Sequence, residues 1–257
     1  MKKNRSLFIL FACVFITWGS ILISRHTSSW ELKKNVVSHV TIDSTFDVTN
    51  SEYTAYLAPI KAQLNATMSG VIGVAAESMT GHQPESLLSN WTSDAILHAA
   101  NALMNEPIHV AIMNMGGLRC EIPKGDITLW KMFELMPFDN ELVILTLTGN
   151  DLKDLCDGFA ADGGQGVAGL RFQIKNDKAQ NILVAGEPID VNKEDYKIAV
   201  SNYLAEGNDR MIALTRCTNT MTTGLKLRDL FVDFVKEETA QGREIKSQLD
   251  GRITVID

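Results

Sequence analysis

Ile108-His109-Val110-Ala111-Ile112-Met113, running into Asn114-Met115-Gly116-Gly117-Leu118-Arg119, is a short apolar run that ends in a glycine pair. A run of this length bounded by a turn signal predicts a buried strand over Ile108–Met113. Paired glycines after a strand let the backbone take positive φ and leave N–H groups facing a ligand. The arginine that follows can fork onto a phosphate or a carboxylate. The same residues also suit a tight turn whose Arg119 pairs with a surface acid, and spacing alone does not separate the two readings.

Working outward, strands are expected at Val36–Val48, Val71–Ala76, Leu142–Leu147, Tyr196–Leu204 and Ile253–Ile256. Leu170–Lys175 and Asn181–Ala185 flank Asn176-Asp177-Lys178 as a hairpin. Helices are expected at Glu85–Asn105, with Leu88, Trp91, Ala95, Leu97 and Ala102 on its apolar side, and at Leu129–Leu135, Asn150–Phe159 and Leu225–Glu238. Strands grouped in pairs between helices predict an α+β fold with mixed sheets rather than a regular parallel sheet. No repeat, charge block or low-complexity linker divides residues 35–257, so they are expected to form one domain.

The chain has 257 residues, 45% of them hydrophobic and 21% charged, with a net charge of −7. That balance argues against a nucleic-acid partner, which requires a basic face. Lys2, Lys3 and Arg5 precede an uncharged stretch, Ser6–Ser24, whose 19 residues would span about 28 Å as a helix, enough for a bilayer core. Residues 1–25 are therefore expected to be a signal or a membrane anchor, with lipidation at Cys13 as a third option, and residues 26–34 a linker. In each version the body is exported to the bacterial periplasm or cell envelope. Cys120, Cys156 and Cys217 lack zinc-type spacing and read as small core residues.

Absences narrow the chemistry. His26, His39, His82, His98 and His109 are scattered, with no HxH, DxH or HExxH pattern. A two-metal hydrolase site needs such clustered ligands. No GxSxG, GxxxxGK[ST] or GxGxxG is present. Glu85 with Glu206 or Asp209 would be the carboxylate pair of a glycosidase only if the fold brought them together. Two more glycine turns remain. In Asn202-Tyr203-Leu204-Ala205-Glu206-Gly207-Asn208-Asp209-Arg210 an aromatic ring stands before an acid. Gly163-Gly164-Gln165-Gly166 is a mobile or close-approach loop.

In order along the chain, these segments resemble the C-terminal domain of the 5'-nucleotidase / UDP-sugar hydrolase family. Ser89-Asn90-Trp91-Thr92-Ser93-Asp94-Ala95 is similar to its Asn–Asp-Ala helix motif, and Asn114–Arg119 to its Asn-Gly-Gly-Gly-Ile-Arg. Gly125-Asp126-Ile127-Thr128 with Met136-Pro137-Phe138-Asp139-Asn140 is similar to its Gly-x-Ile-Thr…Pro-Phe-x-Asn. Leu147–Leu152 resembles Leu-x-Gly-x-x-Leu, and Asn202–Asp209 resembles Asn-Phe-Leu-Ala-x-Gly-Gly-Asp. The resemblance implies a nucleotide- or nucleoside-binding role for Asn114, Gly116, Gly117, Arg119, Tyr203 and Asp209. Arg119 would meet the phosphate or ribose, Tyr203 would be one of two aromatic plates on the base, and Asp209 would hold the ribose hydroxyls. The second plate is expected within 163–170, where no aromatic stands, so a one-plate pocket is expected. No catalytic residue and no metal are expected in this chain. The family's two metal ions belong to a metallophosphatase half, expected here as a separately encoded partner. The alternatives are a stand-alone surface binding protein and a degenerate structural domain.

Overall fold

The computed structural model describes residues 32–37, 39 and 51–256, and the chain divides into two compact units, Met1–Ser51 and Glu52–Asp257. The signal or anchor and Cys13 lie outside the described residues. So does most of the strand expected at Val36–Val48; Val36, Val37 and His39 are described and are not in a strand.

The second unit opens with an unforeseen helix, α1 (Ser51–Met68), that leaves Tyr53, Leu57, Ile60 and Leu64 exposed along one side. Next come β1 (Val71–Ala75), α2 (Leu87–Leu103), β2 (Val110–Met113), β3 (Gly125–Thr128), α3 (Leu129–Leu135), β4 (Glu141–Leu147) and α4 (Gly149–Ala161). The remainder is β5 (Gly166–Ala168), β6 (Leu170–Lys175), β7 (Lys178–Val184), β8 (Glu187–Pro188), β9 (Tyr196–Ser201), a one-turn α5 (Asn202–Ala205), β10 (Asn219–Lys226), α6 (Leu227–Ala240) and β11 (Ile253–Val255). The α+β expectation holds, with helices packed on mixed sheets.

A five-stranded sheet in the order β10-β4-β9-β2-β5 forms the centre, parallel only between β2 and β9. Apart from the edge strand β10, its strands are apolar on both faces because both are covered, and their side chains alternate between two cores. Ala111, Met113, Leu142, Ile144 and Ala199 face a core built with α2, α3 and α6, where the Trp91 and Phe231 rings meet tilted, 5.7 Å apart. Val110, Ile112, Val143, Leu145, Ile198 and Val200 face the other core, filled by Leu152, Leu155 and Phe159 of α4 and by the four-stranded sheet β11-β6-β7-β8. Cys156 is buried in that second core; Cys120 and Cys217 are half-buried, and all three are free thiols.

Local chemistry fixes the ends. Ser86 caps α2 and forms a reciprocal pair with Ser89, whose N–H lies 3.2 Å from the Ser86 hydroxyl. Ala102, expected on the buried side of α2, is exposed; Ile96 and Ala100 fill the core instead. Between β6 and β7 the turn is Asn176-Asp177, with φ of 48° and 58°. That is the left-handed pair a two-residue hairpin demands, and it starts β7 at Lys178, three residues earlier than expected. Tyr196–Leu204 ends as a strand at Ser201, whose hydroxyl accepts the Leu204 N–H at 3.1 Å and starts α5.

His109 supports the sheet in its neutral form. Its Nδ1 accepts the Lys197 N–H at 3.0 Å, which a protonated ring cannot do. Burial first, and then the nearby Lys193 charge, push its pKa below the ordinary 6.5. The unfolded chain therefore takes up this proton first as pH falls. Stability is complete above about pH 6.5 and declines as pH drops toward the folded value. Urea unfolding at pH 7.5, 6.5 and 5.5 is expected to show this decline, and His109→Gln is expected to flatten it.

Candidate functional site: one cavity at the strand ends

Sheet register decides which loops meet. β2 runs parallel to β9, with Ala111 opposite Ala199, so the segments after both strands leave at the same end. β4 is antiparallel to β9, with Leu142 opposite Ser201, so the residues just before β4 lie beside those just after β9. Three loops, 114–119, 138–140 and 202–209, thus converge.

They enclose a cavity of about 340 Å³ lined by Asn114, Gly116, Gly117, Arg119, Phe138, Asn140, Tyr203 and Asp209. All six residues singled out in the sequence stand in this wall. Two more wall residues were not singled out in the sequence, Phe138 and Asn140, although both lie in the quoted Met136–Asn140 motif. Beside Tyr203 the cavity holds a second ring outside the 163–170 stretch: Phe138 and Tyr203, 41% and 39% exposed, both line it. The stretch 163–170 has a different role. Gly164 packs against the backbone of Pro84, and the Gln165 side-chain oxygen accepts the Met115 N–H at 3.1 Å, bracing the turn after β2 from behind.

That turn differs from the expectation as well. Residues Met115–Gly117 form a 3₁₀ turn, and neither glycine takes positive φ. Gly117 is needed for space, since a Cβ there would lie 2.7 Å from the Met113 methyl and 2.8 Å from Asn114 Oδ1. The close fit holds the buried Asn114 side chain toward Asp209. Asn114 Nδ2 donates to Asp209 Oδ2 at 2.5 Å, and the Tyr203 hydroxyl donates to Asp209 Oδ1 at 2.9 Å. The carboxylate beside it raises the Tyr203 pKa through this hydrogen bond, so the phenol keeps its proton as a donor. Among the described residues, Asn114 Oδ1 is a buried side-chain oxygen with no hydrogen-bond partner.

Arg119 is part of the cavity wall. Its guanidinium donates to the Gly116 carbonyl at 3.1 Å and stands 5.8 Å from the Phe138 ring. On its other side opens a larger cleft of about 580 Å³, with His82, Met115, Cys120 and Glu121 among its walls. The loop carrying Phe138 is braced from below by the buried Arg228, which donates to the Phe138 carbonyl at 3.3 Å and to Asp139 at 2.8 Å. That pairing holds the Asp139 carboxyl below its usual range.

Other sequence motifs prove architectural. Asn90 donates to Glu85 at 2.7 Å and to the Gln248 carbonyl at 2.8 Å, while Asp94 pairs with the buried Arg252 at 2.8 Å. Both contacts tie α2 to the C-terminal segment. Glu85 is therefore engaged away from Asp209, and the carboxylate pair of a glycosidase is not assembled. Among the described residues, no group of three or more His, Cys, Asp or Glu side chains could hold a metal ion, and no helix is long and apolar enough to cross a membrane.

Known proteins share this fold. Residues 67–216 match the family model described as 5'-nucleotidase, C-terminal domain. The chain is 27% identical over 227 residues to the trifunctional nucleotide phosphoesterase protein YfkN of Bacillus subtilis, covering 80% of this chain and 15% of that protein. It is 23% identical to the cell wall protein Lmo0130 of Listeria monocytogenes, covering 79% of this chain and 29% of that one. The crystal structure of a 5'-nucleotidase precursor from Thermus thermophilus superposes with a TM-score of 0.66 at 26% identity, over 80% of this chain and 43% of that one. The chain thus spans less than half the length of these relatives. With a family model matched over more than half its residues and the fold shared, the chain belongs to the 5'-nucleotidase C-terminal domain family.

Proposed function

We propose that this chain is the nucleotide- or nucleoside-binding half of an exported 5'-nucleotidase, acting with a separately encoded metallophosphatase that cleaves the phosphate. The observation that carries the reading is the convergence of two aromatic rings, one guanidinium and one carboxylate on a single cavity. A base fits against Phe138 and Tyr203, the sugar lies toward Asp209, and the phosphate toward Arg119. The cleft beyond Arg119 is where a second protein body would reach the phosphate. Partners of this kind need an interface above roughly 1,000 Å² or a shared substrate, and attachment of both to one membrane surface would raise their effective concentration. Export is supported by the basic residues before Ser6–Ser24 and by a relative named for the cell wall.

Calorimetric titration with adenosine and AMP tests the binding. Saturable heat is expected for both, with AMP losing its advantage over adenosine in Arg119→Ala; no heat from either ligand would overturn the reading. Incubating the chain alone with AMP and Mn²⁺ is expected to release no phosphate, and turnover by a homogeneous preparation would overturn the division of labour.

A further inference from the structure

Tyr203 carries a hydroxyl at a place where the motif it resembles has Phe. Stacking on a base uses the ring face and has no need of that oxygen. Here the hydroxyl donates to Asp209 Oδ1 at 2.9 Å, while the Asn114 amide donates to Oδ2 at 2.5 Å. Each oxygen of the carboxylate thus already has a donor from the protein. The acid is also held from its backbone: Asp209 and Arg210 sit at φ of 51° and 62°, two successive non-glycine residues in the left-handed region. Asn208 Nδ2 donates to the Tyr203 carbonyl at 2.8 Å, closing the loop onto the residue that bears the hydroxyl. Carboxylate and phenol are therefore positioned together.

We propose that Tyr203 is a specificity-determining residue whose hydroxyl occupies, on Asp209, the place of a sugar hydroxyl, so that the cavity does not favour a ribose diol over a deoxy sugar. The inference rests on the nucleoside reading of this cavity. A ribose hydroxyl that takes the acceptor direction now used by Tyr203 displaces a hydrogen bond to an ionised acceptor, and such bonds are stronger than neutral ones. The displaced oxygen belongs to the same ring that would lie against the base, so its movement also tilts the plate. A sugar without hydroxyls leaves the contact in place.

Calorimetric affinities for adenosine and 2′,3′-dideoxyadenosine, measured on the parent and on Tyr203→Phe, test the assignment. Both variants are first checked by their melting curves. The parent is expected to bind the two ligands within about twofold of each other. In Tyr203→Phe the ratio is expected to open to about tenfold in favour of adenosine, the usual yield of one freed hydrogen bond to a charged group. Any loosening of the ring weakens both ligands alike and cancels in the ratio. Adding Asp209→Asn to Tyr203→Phe is expected to close the ratio again. The same ratio in parent and Tyr203→Phe, with both ligands binding, would overturn the role of the tyrosine alone. Absence of saturable heat for either ligand with either protein would overturn the nucleoside reading and this inference with it.

Discussion

Phe138→Ala is expected to weaken adenosine binding by about tenfold to a hundredfold while leaving the melting temperature within about 2 °C of the parent. A base stacked on an aromatic ring gains about 1–3 kcal/mol, and Phe138 is one of two rings in the cavity wall. Its removal also takes away the ring beside the Arg119 guanidinium, 5.8 Å from its centre. The loop backbone does not depend on the side chain. Arg228 holds it by hydrogen bonds to the Met136 and Phe138 carbonyls, both at 3.3 Å, and to Asp139. The ring itself is partly exposed, so little core packing is lost. Calorimetry with adenosine reads the affinity and a thermal melt reads the fold. Binding within twofold of the parent would mean that the cavity does not use Phe138 as a plate.

The second large effect is on stability. Gly169 joins β5 of the central sheet to β6 of the four-stranded sheet, at φ +70°, where L-residues are strained. A Cβ at this position would drive into the backbone carbonyl of His109, well inside van der Waals contact. The obstacle is main chain at the start of β2, so relief requires moving a strand rather than turning a side chain. Gly169→Ala is expected to cost about 3 kcal/mol or more, lowering the melting temperature by roughly 6–12 °C for a domain of this size. Gly158 supplies the contrast. It lies within α4 with no heavy atom within 4 Å of an added Cβ, so Gly158→Ala is expected to stabilise by about 0.5–1 kcal/mol. Equal melting temperatures for the two variants would contradict at least one of the two arguments, and the shift from the parent says which.

These two positions also show where the sequence speaks and where it is silent. β2, β4 and β9 were legible because each is apolar on consecutive residues, the mark of a strand covered on both faces. β10 reads Thr-Met-Thr-Thr-Gly, and as an exposed edge strand it has no buried face to impose a pattern. α1 escaped notice because Pro59 reads as a breaker and because Ala55, Ala58, Ala62 and Ala66 opposite its large side chains blur the periodicity. In the site, Asn114, Arg119, Tyr203 and Asp209 were found from motif order. Phe138 was quoted as a landmark and not foreseen as a cavity residue, because only the pairing of Leu142 with Ser201 brings its loop beside Tyr203. Which loops share a rim is a property of strand register, and no local signal in either loop encodes it.

Asn114 and Asp209, whose side chains touch, are 95 positions apart along the chain. Between them the polypeptide makes β4, β5 and β9 and an excursion into the second sheet before returning. On the nucleoside reading proposed above, a nascent or proteolysed fragment that stops short of Asp209 would be blind to nucleoside, however well its individual turns are made. Occupancy then acts as a gauge of completed assembly: ligand that binds only the finished sheet adds RT ln(1 + [L]/Kd) to the unfolding free energy, so saturating nucleoside would protect the whole central layer at once.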